Sequence, residues 1–202
     1  MNRPRLVAIG LNYVKSGGLS RNRELVVLAA QALAAGQKKI DFDAPDYGGT
    51  FYWHRLAAYV WVLVSSSWEL AGERVFVTGA DLLDDAPTLG AAFDSIAYLE
   101  AVKCSPPWAK SEPTPDMRAN CPRRFLETEL RVLRPELLLV LGLTTPIGLC
   151  DSGAPFEPKP MRASWGTVTV VRVPHPSGFG DNKKAYVAKL AQNVRLWRGA
   201  SG

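Results

Sequence analysis

The run Leu137-Leu138-Leu139-Val140-Leu141, closed by Gly142, constrains the fold of this chain more than any other segment. A strand apolar at every position has to be covered on both faces of its sheet. Arg5-Leu6-Val7-Ala8-Ile9, closed by Gly10, has a similar form. Strands of this kind belong to parallel sheets with helices on both sides. Tyr98–Lys103 reads as a third strand, and Thr167–Val173 as a fourth through its alternating β-branched residues. Between the strands, Arg21–Ala35, Phe51–Ser67, Met117–Leu133 and Lys184–Trp197 read as helices, and Pro135 ends the third. Lys39–Gly49 and the proline-rich Ser105–Pro115 read as loops. The expectation is an α/β fold, a three-layer α/β/α sandwich around a mostly parallel four-stranded central sheet. Residues 1–202 are expected to form one domain.

Composition narrows the functional classes. The formal net charge of +5 points mildly towards a polyanionic partner. No apolar run reaches the roughly 20 residues that span a bilayer, and the N-terminus carries no cleavable leader pattern. A cytoplasmic monomer without membrane contact is expected. Three cysteines, Cys104, Cys121 and Cys150, make neither a secreted disulfide framework nor a CxxC zinc ribbon.

In folds of this class ligands bind beyond the carboxyl ends of the strands. The segments to search are therefore Gly10–Asn12, the residues around Glu100, Gly142–Thr145 and His175–Phe179. His175 is one of two histidines and stands between Pro174 and Pro176, ahead of Gly178. Prolines stiffen such a turn, and a rigid donor at a strand end can stabilise charge developing on a leaving group. On local chemistry alone, a tight surface turn with an incidental histidine explains the segment as well. Phe179 at the tip of the turn suits a wedge into a base stack, or a cap on the core. The Asn12 amide suits holding a water, or simply a Gly-Asn turn.

Taken in order, these segments resemble the uracil-DNA glycosylase superfamily. Gly10-Leu11-Asn12 resembles the first motif of its mismatch-specific and single-strand-selective branches. Pro174-His175-Pro176-Ser177-Gly178-Phe179 resembles the second motif, combining features of the iron–sulfur and mismatch branches. Val102-Lys103-Cys104-Ser105-Pro106-Pro107 and Cys121-Pro122 through Leu139-Val140-Leu141-Gly142 are similar to the iron–sulfur branch. The resemblance implies a uracil-DNA glycosylase-like fold and a monofunctional enzyme on double-stranded DNA. It would flip a base into a pocket and hydrolyse its N-glycosidic bond, leaving an abasic site. By position, Asn12 would help place the attacking water and His175 would stabilise the departing base. Gly10 and Leu11 would border that base. Phe179 would be the wedge, with Ser177, Gly178, Lys183 and Lys184 holding DNA.

Three departures from the family sharpen the expectation. An iron–sulfur cluster needs four protein ligands, and the N-terminal cysteine pair is missing, so no cofactor and no metal are expected. Where the iron–sulfur branch has an asparagine that reads uracil, this chain has Glu100. A carboxylate only accepts hydrogen bonds, so it opposes uracil O4 and suits the exocyclic amine of cytosine. In the loop before the second helix, Tyr47 is the candidate for stacking on the base, with Phe51 and Trp53 as competitors that suit the core better. Gly48 and Gly49 leave room for an enlarged base. Asp43 and Asp46 would bind hydroxyls on such a base or orient the water. The substrate expected from these departures is a bulky modified cytosine, such as glucosylated hydroxymethylcytosine of phage DNA, removed in antiviral defence. This is similar to phage-defence glycosylases of the superfamily. The alternatives are uracil repair and, from another class, a non-catalytic protein that binds a lesion.

Overall fold

The computed structural model describes residues 5–10, 18–37, 52–64, 83, 89–102, 113–147, 154–178 and 182–200. Its elements in chain order are β1 (Leu6–Gly10), α1 (Gly18–Ala34), α2 (Tyr52–Val64), β2 (Ile96–Glu100) after a 3-10 turn at Ala91–Ser95, and α3 (Pro115–Cys121). A π turn at Pro122–Leu126 joins α3 to α4 (Glu127–Leu133), and β3 (Leu137–Leu141), β4 (Lys159–Ala163), β5 (Gly166–Val173) and α5 (Lys183–Ala200) follow.

The strands form one sheet in the order β2-β1-β3-β5-β4. The pairs β1/β2, β1/β3 and β3/β5 are parallel, while β4 runs antiparallel to β5. The three-layer, mostly parallel architecture is thus the one expected, with five strands among the described residues instead of four. The added strand is a hairpin partner on the edge, and its burial alternates along Lys159–Ala163. It carries Lys159, Pro160 and Arg162, residues that suit a protected edge and weaken any apolar strand signal. β2 also differs from the expected Tyr98–Lys103. It begins at Ile96 and leaves the ladder after Glu100. The apolar Ala101 and Val102 prolong the sequence pattern without prolonging the strand.

β1 and β3 are buried at every position. Alternation along the strands divides their side chains between two cores. Leu6, Ala8, Leu137, Leu139, Leu141, Val171 and Val173 face α1, α2 and α5. Val7, Ile9, Leu138, Val140, Val168 and Val170 face Leu126 and Leu130. α2 is buried over most of its length, from Trp53 to Val64, so it forms the inner helix against the sheet.

The helix opposite starts at a Thr114 cap, whose Oγ1 accepts from the Met117 amide at 3.2 Å, with Pro115 in the first turn. Its π turn has a local cause. Pro122 lacks the N–H that an α-helix needs there, and the Glu127 amide closes back on the Pro122 carbonyl. Arg134, left-handed at φ 46°, ends α4 by donating its amide to the Leu130 carbonyl at 2.8 Å. No helix among the described residues is long and apolar enough to cross a membrane.

Candidate active site

All four segments singled out from the sequence reach the carboxyl edge of the sheet, through Gly10, Glu100, the Gly142 loop and the His175 turn. Gly10, the last residue of β1, is in register with Glu100, the last residue of β2. The Ala101 amide donates to the Gly10 carbonyl at 2.8 Å, and the Gly142 amide donates to the Val173 carbonyl at 2.8 Å. Strand alternation puts Gly10, Tyr98 and Glu100 on the α2 side, continuing Leu6, Ala8 and Ile96. The His175 turn leaves β5 beside them.

The turn is held from several sides. Arg55 of α2 donates from Nη1 to the Pro176 carbonyl at 2.8 Å. Ser177 Oγ lies 2.6 Å from His175 Nδ1, and the Ser177 amide donates to the same nitrogen at 3.4 Å. With Nδ1 accepting, the proton of the neutral ring sits on Nε2, which becomes the ring's donor. Burial pushes the imidazole below its ordinary value of 6.5, so the ring is neutral at pH 7. A group whose folded value lies below its unfolded one contributes stability that is present above about pH 6.5. That contribution is lost as the pH falls through the folded value. An NMR titration of the two histidines is therefore expected to place the His175 midpoint below 6.5, with nitrogen shifts of the Nε2–H tautomer. A midpoint above 6.5 contradicts the assignment.

A second group of side chains lies between Gly10 and His175. The hydroxyls of Tyr52 and Tyr98 are 2.8 Å apart. The Tyr98 hydroxyl occupies the space that a side chain on residue 10 would fill, so glycine is required there for packing. Tyr52 sets its ring 5.4 Å from the His175 ring, tilted by 43°. Trp53 packs edge-on against Tyr52 at 5.0 Å and against Tyr98 at 5.7 Å. Glu100 is buried at 6% exposure.

The loop after β3 is stiffened separately. The buried Thr145 donates from Oγ1 to the Leu141 carbonyl at 2.6 Å. Arg172 Nη1 donates to the carbonyls of Gly142 at 3.1 Å and Thr145 at 2.7 Å. Gly142 has φ +102°, and a Cβ there would lie 2.8 Å from Thr145 Oγ1 and 4.0 Å from His175 Cβ. Gly142→Ala therefore combines a left-handed backbone with a clash against a tethered hydroxyl. It is expected to cost about 2 kcal/mol and to lower Tm by roughly 4–8 °C in a thermal melt.

The residues expected from the sequence divide into two sets. Gly10, Glu100, His175 and Ser177 are brought to one edge, with Gly178 in the same turn (Pro176–Gly178). Ser177 is exposed, as a phosphate contact would be, yet its hydroxyl lies on the His175 ring. Lys183 opens α5 and Lys184 is exposed beside it. Leu11, Asn12, Asp43, Asp46, Tyr47 and Phe179 lie outside the described residues, as does Phe51. Trp53 belongs to the core at 4% exposure. Cys121 is buried, while Cys104 and Cys150 lie outside the described residues. Sequence reasoning missed Tyr52, Arg55, Tyr98 and Arg172. Tyr98 was within reach, because it stands two residues before Glu100 on the same strand face. Tyr52 and Arg55 share a helix face by their three-residue spacing.

This edge sets a neutral imidazole N–H on a braced turn and a buried carboxyl at the end of the strand beside Gly10, groups that can stabilise a leaving group. No curated protein matches the chain. A model of the uracil DNA glycosylase superfamily matches residues 73–198. The match runs from before β2 into α5, so it contains Glu100, the Gly142 loop and the His175 turn, and covers well over half of the chain. Fold and family match agree, and the chain belongs to the uracil DNA glycosylase superfamily, a family of enzymes that act on DNA.

Proposed function

We propose that this protein is a monofunctional DNA glycosylase that excises a bulky modified cytosine, such as glucosylated hydroxymethylcytosine of phage DNA, and thereby serves antiviral defence. The observation that carries the choice of base is Glu100, buried at the end of β2 and in register with Gly10. As a carboxylate it accepts a hydrogen bond from the exocyclic amine of cytosine and repels O4 of uracil.

The target nucleotide leaves the stack and its base enters the site. The bond between C1′ and N1 breaks, and its electron pair leaves with the base. The His175 Nε2–H donates to O2 of that base as negative charge builds there. Water, placed by Asn12 and Asp46, adds to C1′, and the proton it loses ends on the released base. Asp43, Tyr47 and Leu11 complete the base site, and Phe179 fills the vacated stack. Ser177, Gly178, Lys183 and Lys184 hold the phosphates, a contact that supplies affinity without reading sequence. No step uses a lysine nucleophile, so the product is an intact strand with an abasic site, and no cofactor takes part. Uracil excision in repair is the second reading, favoured by the family match itself.

The test is incubation with duplexes carrying glucosylated hydroxymethylcytosine or uracil, followed by alkali. Strand breaks at the modified cytosine are expected. Breaks at uracil alone would move the protein to repair, and an absence of breaks on any duplex would favour the lesion-binding alternative.

A further inference from the structure

We propose that Tyr52 is a positioning residue for His175, held by its hydrogen bond to Tyr98, so that Gly10, Tyr98, Tyr52 and His175 form one strut across the base site. This rests on the reading of His175 as the donor to the departing base.

Four elements contribute. β1 ends in a glycine, and the Tyr98 hydroxyl of β2 fills the space above it. Tyr52, the first residue of α2, bonds that hydroxyl at 2.8 Å and lays its ring 5.4 Å from the imidazole. Its own oxygen lies 3.8 Å from the position a Cβ on Gly10 would take. One turn further along α2, Arg55 donates to the Pro176 carbonyl. The start of α2 therefore holds the histidine turn at two points, the ring through Tyr52 and the backbone through Arg55.

The two points do different work. A bond to Pro176 sets where the turn sits but leaves the imidazole able to rotate about its side-chain torsions. Ser177 limits that rotation at Nδ1. Contact with the Tyr52 ring limits it on one face, and the hydroxyl bond stops Tyr52 from swinging away. The direction of the Nε2–H bond is thereby set before substrate arrives. Preorganised direction matters here, because a misplacement of about 1 Å can cost on the order of a hundredfold in rate. The imidazole meets Tyr52 from α2 on its face and Ser177 from the turn itself at Nδ1, with Arg55 holding the next carbonyl, that of Pro176. Because the strut acts through two phenols, it directs the ring without adding a charge to it.

The experiment uses the full chain and three variants. Tyr52→Phe and Tyr98→Phe remove one oxygen each and keep the rings, and Tyr52→Leu removes the ring that covers His175. Each phenylalanine variant is expected to lower kcat for base release about tenfold, with KM for DNA within about twofold. The double variant should be no slower than the slower single, because both delete the same bond. In NMR, Tyr52→Leu should move the His175 midpoint up towards 6.5 and change its nitrogen shifts, whereas Tyr52→Phe should leave the midpoint in place. Wild-type kcat in both phenylalanine variants overturns the strut, and so do strictly additive losses. If the wild type releases no base from any DNA, the reading of His175 fails. The NMR arm then decides alone, and unchanged His175 signals in Tyr52→Leu overturn the proposal.

Discussion

His175→Ala is expected to slow base release by about 10²–10³-fold, the usual loss when one preorganised donor to a developing anion is deleted. The loss should fall on kcat, measured in single turnovers, with DNA binding little changed. The geometry supports this split. The imidazole is half-buried at the strand ends, and its Nδ1 is engaged by Ser177. In the proposed mechanism Nε2 is then the nitrogen that donates to the base, in a bond that strengthens as charge moves onto it. A His175→Gln variant keeps an N–H donor and should recover part of the loss. Equal rates for wild type and His175→Ala would remove the residue from the chemistry.

Glu100→Gln should shift the preference between substrates. The amide keeps the length of the side chain and one acceptor but adds a donor, which suits O4 of uracil. One well-placed pair at a base edge is worth about 1–3 kcal/mol of discrimination. The ratio of kcat/KM for uracil over modified cytosine is therefore expected to rise about tenfold to a hundredfold. The measurement is a competition between the two duplexes in one reaction. An unchanged ratio would mean that Glu100 does not read the base. A collapse of both rates with a lowered Tm would mean that the buried carboxyl supports the fold instead.

Much of the fold was legible because its central strands are apolar without interruption. Leu137–Leu141 can only be an inner parallel strand, and the position of Gly142 after it marks the strand end. The edge strand Lys159–Ala163 escaped because an edge tolerates charge and proline, which erase the apolar signal. The π turn at Pro122 is visible only once the helix is built through the proline. The candidate site divides in the same way. His175, Glu100 and Gly10 are found by asking what lies at strand ends. The braces around them are not, since Tyr52 meets Tyr98 from 46 residues away and Arg55 meets Pro176 from 121 residues away. Such pairs depend on how α2 crosses the sheet, which no local pattern encodes. Arg172 reads simply as one residue of a strand, though it clamps the Gly142 loop.

The central claim is that this edge of the sheet releases a modified cytosine intact. It is tested most directly by mass spectrometry of the small-molecule fraction after incubation with glucosylated hydroxymethylcytosine DNA and, in parallel, uracil DNA. Free glucosylated hydroxymethylcytosine, an unbroken abasic strand and little free uracil are the result expected. Free uracil alone, or no free base from either DNA, would contradict it.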